Sequence, residues 1–213
     1  MEEVYADIFG GEARPNELIV RFVSIMGKEE NRRNYRKGEI LIDLSKENPF
    51  LHLIKSGKVG IYRRSDRLLI QEIPAPWILG LAYMFHKTGV VILAHSEVVA
   101  YKIPREQALA DIDKNGLWRD VAAILAWVTR SYTLRDASLV GLDAYQIIRH
   151  HLNLLVQIPI EERFTITAAK FITDRTFISR SRVMEILKQL NLGGYITIKN
   201  GILINISRLP DDF

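Results

Sequence analysis

The chain has 213 residues and no cysteine, which excludes disulfides, thiol redox switching and cysteine-ligated zinc or iron–sulfur centres. Long apolar runs are also lacking: none approaches the ~20 residues that a bilayer span needs. The opening MEEVYADIFGGEARPNE is acidic and has neither the basic start nor the apolar core of an export signal. A cytoplasmic location away from membranes is expected. Enzyme signatures are equally scarce, with no nucleophile elbow, no phosphate-cradling glycine loop and no metal motif; Gly57 and Gly60 are too sparse to count. The histidines His52, His86, His95, His150 and His151 form no metal-ligand spacing, and His150 and His151, being adjacent, point to different faces of a helix. No catalytic residue, metal or cofactor is expected.

What the sequence does contain is enough apolar content, 48% against 25% charged, to bury a real core, and its length suits one large or two small domains. The net charge of +4 is unevenly placed: between Arg163 and Arg208 eight Lys/Arg face only Asp174 and Glu185. One end of the chain is thus fitted to meet a polyanion. Within that end, Val183, Ile186, Leu187 and Leu190 recur at helical spacing on one face, while Arg180, Arg182 and Lys188 project from it. Ser179 can cap this helix, leaving a first turn with two arginines and free backbone N–H groups for phosphates and base edges. The stretch Gly193-Gly194-Tyr195-Ile196-Thr197-Ile198-Lys199-Asn200-Gly201 follows as a β-hairpin wing. A DNA-recognition helix with its wing is the reading that this pattern supports.

Upstream, residues 16–28 are expected to form a short helix capped by Asn16. From Tyr35 to Pro104 the pattern becomes short apolar runs, 40–42, 51–54, 59–62, 68–70, 77–79, 90–93 and 98–101, set apart by turn residues. Such spacing predicts a compact antiparallel barrel or sandwich. Beyond Pro104 the period turns helical: Trp118, Val121, Leu125, Val128, Tyr132, Leu139 and Leu142 form a stripe at spacings of three and four, broken at Arg135. Lying between a β domain and a DNA-binding end, the stripe is read as a dimer face, since helix-turn-helix proteins commonly read two half-sites about a two-fold axis. Gly141 and Asp143 interrupt the helix as a hinge, and residues 145–156 open the last domain, closed by Pro159. Trp77, Trp118 and Trp127 are expected in packing.

Two regions resemble the Crp–Fnr superfamily of bacterial regulators: Tyr35-Arg36-Lys37-Gly38-Glu39 through Leu53-Ile54-Lys55-Ser56-Gly57-Lys58-Val59-Gly60-Ile61-Tyr62, similar to the opening of that family's cyclic-nucleotide-binding β-roll, and Ser179 to Leu190, similar to its recognition helix. The order of parts agrees over nearly the whole chain. More narrowly, Leu117-Trp118-Arg119-Asp120, the core from Val183 to Leu187, Gly193-Gly194-Tyr195-Ile196 and Ile206-Ser207-Arg208-Leu209-Pro210 resemble the winged-helix regulators called inhibitor of hydrogen peroxide resistance. The resemblance implies a DNA-binding regulator of oxidative-stress genes. It also exposes a departure. Nucleotide-binding members use a Gly-Glu pair for the ribose and an Arg-Ser or Arg-Ala pair for the cyclic phosphate, where this chain has Gly80-Leu81 and Thr88-Gly89. No cation meets a buried phosphate there, although Lys87 is adjacent, so the roll is not expected to hold a cyclic nucleotide.

The expected architecture is α+β: a β-roll over residues 1–115, a dimerisation helix over 116–142 and a winged helix-turn-helix over 143–213. Arg180 is the first choice for base readout, with Ser179, Ser181 and Arg182 beside it. Lys188 and Lys199 are expected on phosphates, and Thr167 at the start of the supporting helix either caps it or touches the backbone. Duplex DNA and a second copy of the chain are the expected partners, with any small effector unidentified. The alternative is a ligand-binding or interaction module whose last domain contacts protein; strongly salt-dependent binding to duplex DNA separates the two.

Overall fold

The computed structural model describes residues 14–46, 50–137 and 139–211. The stretch 1–13, part of the acidic opening, lies outside them. The chain divides into two compact units, Arg14–Arg130 and Ser131–Phe213.

The first unit opens with helix α1 (Asn16–Met26), which buries Ile19, Phe22 and Met26. Pro15, not Asn16, occupies the cap position, and no side chain caps the helix there. Eight strands follow: β1 (Arg32–Tyr35), β2 (Ile40–Asp43), β3 (Phe50–Ser56), β4 (Lys58–Arg63), β5 (Leu69–Pro74), β6 (Trp77–Leu79), β7 (Val90–Ala94) and β8 (Val98–Pro104). They form two antiparallel four-stranded sheets, in the orders β1-β8-β3-β6 and β2-β7-β4-β5. Each apolar run predicted as a strand is one. The unpredicted strand is β1, whose RRNY sequence has an exposed edge pattern and no apolar alternation to betray it. Leu51, Leu53, Ile54, Val59, Ile92, Ala100 and Ile103 are fully buried and make the core of the roll.

His52 is buried with this core at 1% exposure, and neither ring nitrogen has a hydrogen-bond partner. Burial, helped by the charge of Lys102, pushes its pKa down to about 3. In the second unit burial pushes His151 down to about 4, even though its Nδ1 lies 2.8 Å from the Ile147 carbonyl. Below the ordinary histidine pKa of ~6.5 the unfolded chain binds protons that the folded chain refuses, so stability is full above that pH and falls on acidification. Between pH 7 and pH 5 each histidine should remove up to about 2 kcal/mol. Urea unfolding of His52→Leu should therefore show a smaller fall across that interval than the native chain; equal falls would contradict the assignment.

Helix α2 (Arg105–Lys114) follows β8 and buries Ala108 and Ile112. Helix α3 (Trp118–Ala137) comes next, with Val121, Ile124 and Trp127 buried. The Trp127 ring meets Trp77 edge-on at 5.5 Å, and Asp120 pairs with Arg21 at 2.9 Å. The predicted stripe is displaced around the helix from this buried face. Val121 belongs to both faces at 5% exposure, Leu125, Val128 and Tyr132 are half-buried, and Trp118 is 46% exposed. The expectation that Trp118 is packed is therefore corrected within the described chain: its indole nitrogen donates to Asp113 Oδ1 at 2.5 Å while the ring stays exposed. The helix also stops at Ala137, which leaves Leu139 in the turn beyond it. Among the described residues no helix is long and apolar enough to cross a membrane.

Candidate nucleic-acid interface

The second unit consists of α4 (Ala144–Gln157), α5 (Ile160–Arg163), α6 (Ala168–Thr173), α7 (Arg180–Leu192) and the hairpin β9 (Ile196–Lys199) with β10 (Ile202–Ile206). Asp143 starts α4 with a capping box: its side chain accepts from the Gln146 N–H, and the Gln146 side chain accepts from the Asp143 N–H. Tyr145, Ile148, Leu152 and Leu155 of α4 then pack with Phe171 and Ile172 of α6, with Val183, Ile186, Leu187 and Leu190 of α7, and with Ile196 and Leu203 of the hairpin. Polar anchors fix the ends. Tyr145 donates to the Pro210 carbonyl at 2.6 Å, and the buried Arg163 donates to Val156 O at 2.7 Å.

Helix α7 is positioned by its cap and by the wing. Ser179 Oγ accepts from the Arg182 N–H at 3.3 Å and lies 3.1 Å from Ser181 Oγ. The Ile198 N–H donates to Asn191 Oδ1 at 2.8 Å, which ties the wing to the end of α7. The hairpin turns through Asn200 (φ 50°) and Gly201 (φ 79°), the two left-handed residues that a tight type I′ turn requires. Gly201 O accepts from the Ala168 N–H at 2.8 Å, so the wing tip is held against the start of α6. There Thr167 caps α6 by accepting from the Lys170 N–H; its hydroxyl is used as a cap.

The eight basic residues between Arg163 and Arg208 separate into two groups. Arg163 is buried, Lys170 pairs with Asp174 at 2.7 Å, Arg175 lies 3.8 Å over the Phe171 ring, and Arg182 pairs with Glu185 at 2.8 Å. Arg180, Lys188, Lys199 and Arg208 are exposed. Among the described residues none of these four has a hydrogen-bond or ion-pair partner. Cationic charge not spent on the fold is thus concentrated on α7, the wing and the segment after it. Sequence reading did not anticipate the Arg182–Glu185 pair, though the i,i+3 spacing of opposite charges was there to be seen.

In the roll, Gly80 adopts a left-handed conformation (φ 109°) and Leu81 opens a short 3₁₀ turn, Leu81–Tyr83. The Thr88 N–H bonds Leu44 O at 2.8 Å and Gly89 O accepts from the Arg64 N–H at 2.8 Å. Thr88 Oγ1 is buried without a hydrogen-bond partner, and the adjacent Lys87 is exposed. Among the described residues no three His, Cys, Asp or Glu side chains cluster as a metal site.

These units form the fold of Crp–Fnr-type transcriptional regulators, a cyclic-nucleotide-binding-like β-roll followed by a winged helix-turn-helix. Residues 144–211 match the family described as winged helix-turn-helix DNA binding. Solved structures share the fold. The c-di-GMP-responsive global regulator CLP of Xanthomonas campestris superimposes with a TM-score of 0.64 at 17% identity, covering 90% of this chain and 99% of that one. A Crp–Fnr family transcriptional regulator from Thermus thermophilus does so with a TM-score of 0.60 at 16% identity, covering 82% of this chain and 93% of that one. Sequence relatives are more specific. The inhibitor of hydrogen peroxide resistance of Escherichia coli K12 is 36% identical over 173 residues, 80% of this chain and 82% of that protein. Its Salmonella typhimurium counterpart is 32% identical over 204 residues, 94% of this chain and 98% of that protein. The chain belongs to the inhibitor of hydrogen peroxide resistance family, whose fold is that of transcriptional regulators and not of enzymes.

Proposed function

We propose that this chain is a sequence-specific regulator that binds duplex DNA as a homodimer, acts in the oxidative-stress response and does not respond to cyclic nucleotides. The observation that carries the reading is the capped helix α7 held on the winged-helix core, with Arg180 and Lys188 exposed and unpaired on it and Lys199 beside the wing turn. Arg180 in the first turn is the base reader, with Ser179, Ser181 and Arg182 around it. Lys188 and Lys199 hold phosphates and set register, and Thr167 supports them through its cap. Trp118, Leu125, Val128 and Tyr132, with Val121 at their margin, form the dimer face; Leu139 lies past the helix and is not needed for it. As a working division, residues 1–115 are the sensor-like roll, 116–142 the dimer segment and 143–213 the DNA-binding domain. The names of the relatives support the link to peroxide. Against cyclic-nucleotide binding stand Thr88 and Gly89 at the positions of the phosphate-binding pair, with no guanidinium of their own.

Duplex binding measured across salt concentrations tests the reading. Affinity should fall steeply as salt rises, because each neutralised phosphate releases counterions. Lys199→Ala should weaken all duplexes alike and reduce the slope of log K against log salt by about one. Salt-insensitive binding, or none, would favour a C-terminal domain that contacts protein.

A further inference from the structure

Arg163, the last residue of α5, is 7% exposed, and among the described residues no carboxylate pairs with it. Its guanidinium meets backbone carbonyls instead: Nη1 donates to Val156 O at 2.7 Å and Nη2, more weakly, to Ile204 O at 3.4 Å, while Nε is buried without a hydrogen-bond partner. A cation taken out of water without a counter-charge costs stability that an apolar side chain of similar volume would not. The two carbonyls belong to different elements. Val156 lies in the last turn of α4, where helix carbonyls lack partners within the helix, and Ile204 lies in the wing strand β10. The planar fork of the guanidinium thus ties the wing to the end of α4.

Ile204 is also where β10 departs from a regular strand. Leu203 lies opposite Ile198 and Asn205 opposite Thr197, which leaves Ile204 as the extra residue of a β-bulge. Strict alternation would put Leu203 and Ile206 on opposite faces of the strand; with the bulge both pack on the core of the second unit. Two further polar contacts hold the hairpin: Asn191 Oδ1 accepts from the Ile198 N–H at 2.8 Å, and Gly201 O accepts from the Ala168 N–H at 2.8 Å. By themselves these points, on β9 and at the turn, leave the hairpin free to rock about the line that joins them. Arg163 supplies a third point, on β10. Apolar packing of Ile196 and Leu203 adds attraction but little direction. We infer that Arg163 is the positioning residue of the wing, a buried strut that sets the angle of the β9–β10 hairpin and so keeps Lys199 on a DNA phosphate, an assignment that rests on the DNA-binding reading above.

The experiment combines salt-dependent duplex binding with amide hydrogen exchange, on the full chain and on Arg163→Met, Arg163→Lys, Lys199→Ala and the double variant Arg163→Met with Lys199→Ala. Methionine fills much of the space of the arginine stem without burying a charge, so thermal unfolding of Arg163→Met should stay at or near the native midpoint. Its slope of log K against log salt should nonetheless fall by about one, as in Lys199→Ala, and the double variant should lose no more than either single one. Exchange of the wing amides in the free protein, Ile198 first among them, should quicken about tenfold, with the α7 amides at native rates. Arg163→Lys keeps the charge but donates from a single point, and should fall between Arg163→Met and the native chain in both readouts. A native slope with native wing exchange in Arg163→Met, or losses that add in the double variant, would overturn the assignment while leaving DNA binding in place. If Arg163→Met unfolds, Arg163→Lys decides: faster exchange confined to the wing would support the strut, and native wing exchange would overturn it. Duplex binding by the native chain that ignores salt would remove the DNA-binding reading and the strut's role with it.

Discussion

Arg180→Ala should abolish most of the difference in affinity between an operator and random duplex while leaving binding to random duplex nearly intact. Arg180 is exposed in the first turn of α7 and makes no hydrogen bond or ion pair among the described residues, so its removal costs the fold little. An arginine–guanine bidentate pair supplies about 1–3 kcal/mol of discrimination, or roughly ten- to hundredfold per half-site, and a dimer uses two. Competition binding at fixed salt measures both affinities. Equal loss on operator and random duplex would mean that Arg180 contacts phosphate and that base readout lies elsewhere.

The second large effect is expected on α3. Val128 is half-buried, on a face displaced from the buried Val121, Ile124 and Trp127. Val128→Glu places a charge in the middle of the proposed dimer face without entering the core of the first unit. Sedimentation should show a monomer at concentrations where the native chain is a dimer. Operator affinity should fall by about 10²–10⁴, because the second half-site is no longer held at a high effective concentration. Thermal unfolding measured under conditions where the native chain is also monomeric should change little. A variant that stays dimeric, or a monomer that binds the operator as tightly as the native chain, would remove the dimer face from the account.

Much of this molecule is legible in its sequence because its elements obey local rules. The runs that became β2 to β8 alternate with turn residues and fall in two sheets whose inner faces close a core. Helix α7 carried its own cap in Ser179 and its buried stripe in Val183, Ile186, Leu187 and Leu190. Asn200-Gly201 is the dipeptide that a two-residue hairpin turn demands. The missing parts are those without local signal. β1 is a strand because β8 pairs with it, not because RRNY prefers to be one. The end of α3 at Ala137 was obscured because Leu139 and Leu142 continue the apolar spacing past the helix. Composition also gave the total of basic charge near the C-terminus but not its allocation. Only the folded arrangement separates Arg163, Lys170, Arg175 and Arg182, which are engaged within the chain, from Arg180, Lys188 and Lys199, which have no such partner among the described residues.

The same limits apply to the candidate pocket. Thr88 and Gly89 were assigned by resemblance to the positions of a phosphate-binding pair, and in the fold they contribute a buried hydroxyl and backbone bonds to Leu44 and Arg64. Sequence also carried no hint that His52, at 1% exposure, would have both ring nitrogens without hydrogen-bond partners.

The central claim is that two copies of α7 read a two-fold symmetric site, and the most direct test is to sequence the duplexes that the full-length native protein retains from a random pool. The account predicts enrichment of an inverted repeat whose half-sites lie about one helical turn, roughly 34 Å, apart or a multiple of it. Enrichment of nothing, or of a single half-site without a symmetric partner, would contradict it.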